Sequence, residues 1–66
     1  MKLQNVLIQL RKQHNLSQQD IAEKLNISQQ AYAHYENGKR MPNIETLIKI
    51  ADFYNVSLDY LTGRYA

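Results

Sequence analysis

Cysteine and tryptophan are absent from this 66-residue chain, proline occurs once and glycine twice. The absence of cysteine excludes disulfide bonds and thiolate zinc sites. So few turn-forming residues argue against a fold of many short strands. The longest aliphatic run, at positions 6–8, is far shorter than the ~20 residues of a membrane span. Gln4, Asn5 and Gln9 would also interrupt a signal-peptide core.

The size and charge of the chain limit the kinds of protein that it can be. It contains 44% hydrophobic and 21% charged residues, which is a globular composition with enough apolar side chains for one small core. We therefore expect a single soluble, intracellular domain over residues 1–66, with a stability of only a few kcal/mol unless it dimerises. The formal net charge of +2 permits an anionic partner without requiring one.

Hydrophobic residues recur at the spacing of an amphipathic helix in two segments. They are Leu3, Val6, Leu7 and Leu10 in the first segment and Leu47, Ile50, Ala51 and Tyr54 in the second. The first segment predicts a helix over about residues 3–13 that stops at His14-Asn15. The second predicts a helix that begins after Asn43, an N-cap, and stops at Asn55.

Polar residues that cap helices mark three shorter helices between and after these segments. The caps are Ser17, Ser28 and Ser57, and the helices that follow them cover residues 18–25, 29–36 and 58–61. Asp20, three residues after Ser17, completes a capping-box pattern. Asn37-Gly38 is the strongest stop signal in the chain. The sequence thus predicts an all-α fold of five short helices.

The second and third helices, joined by a short break, suggest a helix-turn-helix over about residues 18–37. We call residues 18–37 the helix-turn-helix frame. For its two helices to cross at a steep angle, certain positions of the frame must be apolar. One position must also be small, because the second helix approaches the backbone of the first helix there. The apolar positions hold Ile21, Leu25, Ile27, Tyr32 and Tyr35, and the small residue is Ala22. Each of these positions therefore holds the type of residue that a helix-turn-helix requires.

Longer segments around this frame resemble the phage-repressor and Cro-like (Xre) helix-turn-helix family. The similar segments are LSQQDIA from residue 16, ISQQ from residue 27, YENGKRMP from residue 35 and NVSLDYL from residue 55. The chain departs from the family's pattern at Asn26, where glycine is usual, and in the larger Tyr32 and Tyr35. The resemblance, which runs from about residue 10 to residue 61, implies a compact five-helix, lambda-repressor-like DNA-binding domain.

In such a domain the third helix lies in the major groove and presents its N-terminal residues to base edges. The resemblance implies that Gln29, Gln30 and His34 read bases, and a glutamine amide suits adenine. For His34, a pH-sensitive contact to phosphate or guanine and a solvated surface histidine both remain open. A metal site is not expected, because His14 is the only other histidine and no acidic cluster completes it.

Polar residues at helix N-termini and in the following loop surround this face. Those predicted to contact DNA phosphates are Ser17, Gln18, Ser28, Asn37, Lys39 and Arg40. Helix N-terminal amides suit phosphate oxygens and Lys39 and Arg40 add charge, although a merely solvated loop is the alternative. In similar proteins a late arginine of the first helix meets the glutamate before Asn-Gly, which implies that Arg11 and Glu36 orient this loop. A direct contact of Arg11 with a phosphate is a further alternative, and spacing alone is equally compatible with two unrelated surface charges.

The leading hypothesis is a sequence-specific transcriptional regulator, a repressor, that binds a palindromic double-stranded DNA operator as a homodimer with half-sites ~34 Å apart. We expect the dimer surface in the region of the fourth and fifth helices, with Tyr60, Leu61 and Tyr65, and action in the cytoplasm at the nucleoid of a prokaryote or phage host. The alternative is a protein-interaction module on the same fold, such as an antitoxin or the N-terminal head of a larger regulator. No Ser-His-acid set shares a plausible pocket, so no enzyme, cofactor or small-molecule ligand is expected.

Overall fold

The computed structural model describes residues 3–63, which form five helices and no strand. The helices are α1 (Leu3–Gln13), α2 (Gln18–Leu25), α3 (Gln29–Asn37), α4 (Ile44–Tyr54) and α5 (Leu58–Thr62). The predicted all-α fold of five helices is confirmed, but α3 and α5 each extend one residue beyond the predicted end. Gly38 and Gly63 are the left-handed residues that end them, with φ of 82° and 76°, so the residue before each glycine stays helical.

Side-chain caps begin four of the helices, as the sequence predicted. The side-chain oxygens of the caps accept a backbone N–H of the first turn at 2.9–3.0 Å, and the caps are Ser17, Ser28, Asn43 and Ser57. The capping box of α2 is complete, because the Ser17 backbone N–H donates to Asp20 Oδ2 at 3.0 Å. These bonds hold the pKa of Asp20 below its usual value. Each cap satisfies a helix N–H that would otherwise lack a partner.

Three asparagines make the left-handed turns after α1, α2 and α4. Asn15, Asn26 and Asn55 have φ of 56°, 59° and 57°. Asparagine tolerates this conformation better than most residues with a side chain. Asn26 therefore replaces the usual glycine without loss of the turn, in which the Ile27 backbone N–H donates to Ala22 O at 3.0 Å.

The core lies where all five helices meet. Its buried hydrophobic residues are Leu3, Val6, Leu7, Leu10, Ile21, Ala22, Leu25, Tyr32, Leu47, Ile50, Ala51, Tyr54 and Leu61. Ala22 is only 1% exposed, which agrees with the small residue expected where α2 and α3 approach each other. Tyr32 anchors α3 as the largest fully buried side chain, whereas Ile27 and Tyr35 pack at the margin of the core. This anchoring turns the opposite side of α3 outward.

One residue of the predicted dimer surface is buried in the core. Leu61 is 0% exposed because α5 packs its apolar side against α1 and α4, and Tyr60 is half-buried against the core. The expectation that Leu61 belongs to an exposed dimer surface is therefore wrong. Tyr65 lies outside the described residues. Among the described residues, the large hydrophobic side chains that are exposed are those of Met41, Ile44, Ile48 and Phe53.

Candidate nucleic-acid interface

The outward side of α3 carries the three residues assigned to base reading. Gln29 and Gln30 are exposed in the first turn, and His34 is half-buried one turn after Gln30. Tyr32 is buried on the side of the same helix that lies opposite Gln30. The two sides of α3 thus have different functions, since one packs in the core and the other presents amide and imidazole groups to solvent.

A shallow depression of about 250 Å³ runs along one flank of this outward side. It is lined by Ser28, Gln30, Ala31, His34, Tyr35 and Arg40. The Arg40 backbone N–H donates to His34 O at 3.2 Å, which holds the loop after α3 against the end of the helix. The structure therefore brings Arg40, from the loop, to the same surface as Gln30 and His34.

Most of the residues assigned to phosphate contacts surround this surface in exposed positions. Ser17 and Ser28 cap α2 and α3, and their hydroxyl oxygens accept helix N–H groups, so each hydroxyl hydrogen is free to donate. Lys39 is exposed in the loop, where its backbone N–H donates to Asn37 Oδ1 at 3.0 Å. This bond shapes the start of the loop, and the Lys39 side chain extends into solvent.

Gln18 is placed differently from the other residues in that group. Its side chain is half-buried, and its Nε2 donates to Glu36 Oε1 at 3.1 Å. The side-chain amide therefore reaches the junction of α2 and α3, and its second amide hydrogen and the backbone N–H at the start of α2 remain for an external anion. Eighteen residues separate Gln18 from Glu36, and no pattern in the sequence indicated this contact.

The ion pair between Arg11 and Glu36 joins α1 to the last turn of α3. Arg11 Nε lies 2.6 Å from Glu36 Oε2, and Arg11 Nη2 lies 3.1 Å from Glu36 Oε1. The third guanidinium nitrogen, Nη1, donates to Leu16 O at 3.0 Å. This two-point geometry fixes the relative orientation of both side chains. One arginine thus connects α1, the turn before α2 and the end of α3.

Burial and the partner's charge have opposite effects on the pKa values of Glu36 and Arg11. Burial raises the pKa of Glu36, but hydrogen bonds from Arg11 and Gln18 outweigh it and hold that pKa below its usual value. The hydrogen bond to Glu36 raises the pKa of Arg11. Burial, reinforced by the charge of Glu36, raises the pKa of Tyr54 to about 12 and that of Tyr32 further. At neutral pH the pair is therefore fully charged beside two neutral phenols.

Sequence reasoning did not assign Ala31 or Tyr35 to the site. Tyr35 was assigned only a packing position in the helix-turn-helix frame, and it does pack edge-on against Tyr32, with ring centroids 6.3 Å apart. Both residues also line the depression. Helical spacing was the available signal, because positions 31 and 35 lie beside positions 30 and 34 on the helix surface.

Residues 3–63 contain neither a membrane-spanning helix nor a cluster of metal-binding side chains. No helix there is both long and apolar enough to cross a membrane. The same residues contain no group of three or more histidine, aspartate and glutamate side chains that could hold a metal ion.

The sequence matches the model of the helix-turn-helix family HTH_3 over residues 7–61. Across its whole length the chain is 41% identical to the cryptic phage CTXphi transcriptional repressor RstR of Vibrio cholerae, of which it covers 59%. Over 64 residues, or 97% of the chain, it is 41% identical to the HTH-type transcriptional regulator ImmR of Bacillus subtilis, of which it covers 50%. The chain spans about half the length of the curated relatives it matches.

A solved structure has the same fold. The crystal structure of a transcriptional regulator from Listeria innocua superposes with a TM-score of 0.91 at 37% sequence identity, covering 98% of this chain and 60% of that chain. The family match includes α2, α3 and the segment up to α5. The resemblance that the frame at residues 18–37 indicated is therefore confirmed, and the chain belongs to the helix-turn-helix family.

Proposed function

We propose that the chain is a single DNA-binding domain of a transcriptional regulator and that α3 reads the major groove of a double-stranded operator. The observation that carries this proposal is the pair of exposed amides at the start of α3, on a helix whose other side is anchored by Tyr32. Such a helix can enter the groove as a rigid body. Glutamine can donate to N7 of adenine and accept from its N6 in one contact.

Within this proposal, Gln29, Gln30 and His34 contact base edges and the surrounding polar groups contact phosphates. Exposed Lys39 and Arg40 add positive charge where the DNA backbone would pass. Ser17, Ser28 and Asn37 act through short polar side chains and the neighbouring backbone N–H groups. Gln18 acts through its backbone N–H and through the side-chain amide hydrogen that Glu36 does not use.

Arg11 and Glu36 are the positioning pair of this interface. All three guanidinium nitrogens of Arg11 donate to groups of the protein, namely Glu36 and Leu16 O, which favours orientation of α3 over a direct phosphate contact. Glu36 belongs to the last turn of α3, immediately before the loop that carries Lys39 and Arg40. The pair would thus align the loop with the base-reading residues.

A homodimer on a palindromic operator is the form in which we expect this domain to bind. Met41, Ile44 and Ile48, which we call the α4 stripe, follow the phosphate-contacting loop and are 67%, 60% and 44% exposed. Ile44 and Ile48 lie one turn apart on one side of α4, and the same stripe on a second copy would complete a self-complementary apolar contact. Because Leu61 is buried, we place the dimer contact on the α4 stripe.

Repression in the cytoplasm, at the nucleoid of a bacterium or phage host, is the regulatory outcome that we expect. The similarity to the phage repressor RstR supports this direction of control. A reporter gene whose promoter overlaps the selected operator should lose expression when the chain is produced.

Selection of bound duplexes from a random-sequence library, at near-physiological salt, tests the proposal directly. We expect enrichment of a palindrome with half-sites about one helical turn apart, ~34 Å. Enrichment of no sequence, with only weak salt-sensitive binding, would contradict sequence-specific recognition and favour a protein-interaction module.

Two glutamine variants then assign the base-reading residues. Gln29→Ala should weaken binding to the enriched site by about 1–3 kcal/mol and relax discrimination at one base pair. Gln9→Ala removes an exposed glutamine from α1 and should change neither quantity. Equal weakening by Gln29→Ala on every sequence would show that Gln29 contacts only the DNA backbone.

A further inference from the structure

The six asparagines of the chain are all exposed, so the residue that follows each one distinguishes them chemically. Glycine follows Asn37, and it has no side chain of its own, so its backbone nitrogen is less hindered than that of a branched residue. Asn37 is therefore the asparagine whose carboxamide is most open to attack by the next backbone nitrogen. Branched residues follow the other five asparagines, in the pairs Asn5-Val6, Asn15-Leu16, Asn26-Ile27, Asn43-Ile44 and Asn55-Val56.

The structure holds the Asn37 carboxamide close to the Gly38 peptide bond. Its Oδ1 accepts the backbone N–H of Lys39, two residues on, at 3.0 Å, so the side chain folds back over the intervening backbone. The same hydrogen bond draws electron density from the side-chain carbonyl and makes its carbon, Cγ, a better electrophile. Asn37 and Gly38 are both exposed, so water reaches this position. The reactants of an asparagine deamidation are thus brought together here.

We propose that Asn37-Gly38 is a site of spontaneous deamidation and that this modification weakens the binding of DNA. The Gly38 backbone nitrogen gives its proton to water or hydroxide and attacks Cγ of Asn37. The new C–N bond closes a succinimide ring, and the side-chain nitrogen leaves as ammonia. Water then opens the ring at either carbonyl, which yields aspartate or isoaspartate. In the net reaction the asparagine and one water give the acid and ammonia.

Deamidation would place a negative charge where the proposed interface needs a positive one. Asn37 is the last residue of α3, and Lys39 and Arg40 follow it in the exposed loop. A carboxylate there repels phosphate, offsets one of these two cations and lies at the negative end of the α3 dipole. In isoaspartate the main chain also runs through the side-chain carbon, which lengthens the loop and moves both cations relative to α3. This consequence rests on the proposed function, whereas the chemistry at Asn37 does not.

Ageing of the purified chain in mildly alkaline buffer, followed by peptide mass mapping, tests the chemistry. We expect the mass increase of deamidation, together with an isoaspartate form, to accumulate at Asn37 well before the other asparagines. The change should be slower in mildly acidic buffer, because the attacking nitrogen must lose its proton. Deamidation that is no faster at Asn37 than at Asn15, Asn26 and Asn55 would overturn the inference.

Binding to the selected operator measures the consequence of the modification. The deamidated fraction can be separated by ion exchange, since it carries an added negative charge. It should bind about fivefold more weakly than fresh protein at near-physiological salt, the loss expected when one phosphate contact is offset. Asn37→Asp should reproduce this loss in fresh protein. Unchanged affinity of the deamidated fraction would overturn the proposal that the modification weakens binding.

Two variants connect the loss of affinity on ageing to one residue. Asn37→Gln keeps a side-chain amide, but the longer side chain closes a ring far more slowly, so the affinity of this variant should stay constant on ageing. Asn5→Gln is the matched control, because it removes an exposed asparagine from α1 and should age as the wild type does. Gly38 is unsuitable for substitution, since its φ is 82° and an added Cβ would lie 2.8 Å from Gln4 Nε2. An affinity that still falls when Asn37→Gln is aged would assign the loss to another residue and overturn the inference.

The outcomes separate this inference from the proposed function. An enriched operator together with an Asn37 that stays intact on ageing would overturn the inference while sequence-specific recognition stands. Deamidation at Asn37 in a chain for which the library yields no enriched sequence would instead overturn the proposed function, and with it the effect on DNA binding, while the modification site stands.

Discussion

Removal of Arg11 is the perturbation that most directly tests the account of the buried ion pair. Arg11→Ala leaves the carboxylate of Glu36, whose side chain is 5% exposed, without its cation and with only uncharged donors such as Gln18 beside it. Breaking a buried pair from one side costs about 3–5 kcal/mol. We expect about 3 kcal/mol at neutral pH, the lower end, because the Arg11 side chain is itself 16% exposed.

The loss should depend on pH in a definite direction. In the wild type the pKa of Glu36 lies below its usual value, so this carboxylate stabilises the fold at neutral pH and the contribution is lost as the pH falls through the folded pKa. Without Arg11, burial dominates and the pKa of Glu36 should rise above its unfolded value. The destabilisation should therefore be largest near neutral pH. In acid it should fall towards the ~1 kcal/mol of the lost hydrogen bond to Leu16 O.

Urea unfolding followed by far-UV circular dichroism, at about pH 7 and about pH 3, measures this difference. Lys12→Ala is the matched control, because it removes one exposed cation from the same end of α1 and should cost less than ~1 kcal/mol at either pH.

A domain of this length has a free energy of unfolding of about 3–10 kcal/mol, so Arg11→Ala has the potential to unfold the chain at neutral pH. Glu36→Gln then provides a milder second variant, and it should remove the part of the acid dependence that Glu36 contributes. An equal loss for Arg11→Ala at both pH values, or a loss no larger than that of Lys12→Ala, would refute the reasoning.

Three further predictions concern the loop, the turn and the dimer contact. Lys39→Ala should weaken binding about equally on all DNA sequences and reduce the slope of log affinity against log salt by about one, and an unchanged slope would place Lys39 away from phosphate. Asn26→Ala should lower the free energy of unfolding by about 1–2 kcal/mol while Asn26→Gly should not, because φ at this position is 59°, and equal melting temperatures of the two variants would contradict the strain argument. Ile48→Glu should abolish paired occupancy of the two half-sites in sedimentation of the operator complex, whereas Lys49→Ala on the adjacent exposed position should not. A dimer that survives Ile48→Glu would exclude the α4 stripe as the contact.

Local sequence determined the positions of the helices. Each cap and its partner lie within three residues, so the starts of α2, α3, α4 and α5 follow from short-range hydrogen bonds. The same holds for the stops, where asparagine or glycine takes the left-handed conformation. The one-residue errors at Asn37 and Thr62 arose because the pattern marks a stop without showing which of two adjacent residues remains helical.

Helical periodicity also indicated which side of α3 is outward. Tyr32 and Gln30 fall on opposite sides in any regular helix, so the exposure of Gln30 follows from the frame once Tyr32 is assigned to the core. The role of the first-turn glutamines on DNA came from the family resemblance, and spacing alone did not supply it.

Only the tertiary structure decided the contacts between residues far apart in the chain. Arg11 and Glu36 are separated by 25 residues, and spacing left a chance pair of surface charges equally acceptable. The burial of Leu61 and the position of Arg40 beside His34 likewise depend on how α5 and the loop pack against other helices. Periodicity specifies the direction of a side chain about its own helix axis. The neighbour that it meets depends on the crossing angles and separations of helices, which are set by the packing of the whole core.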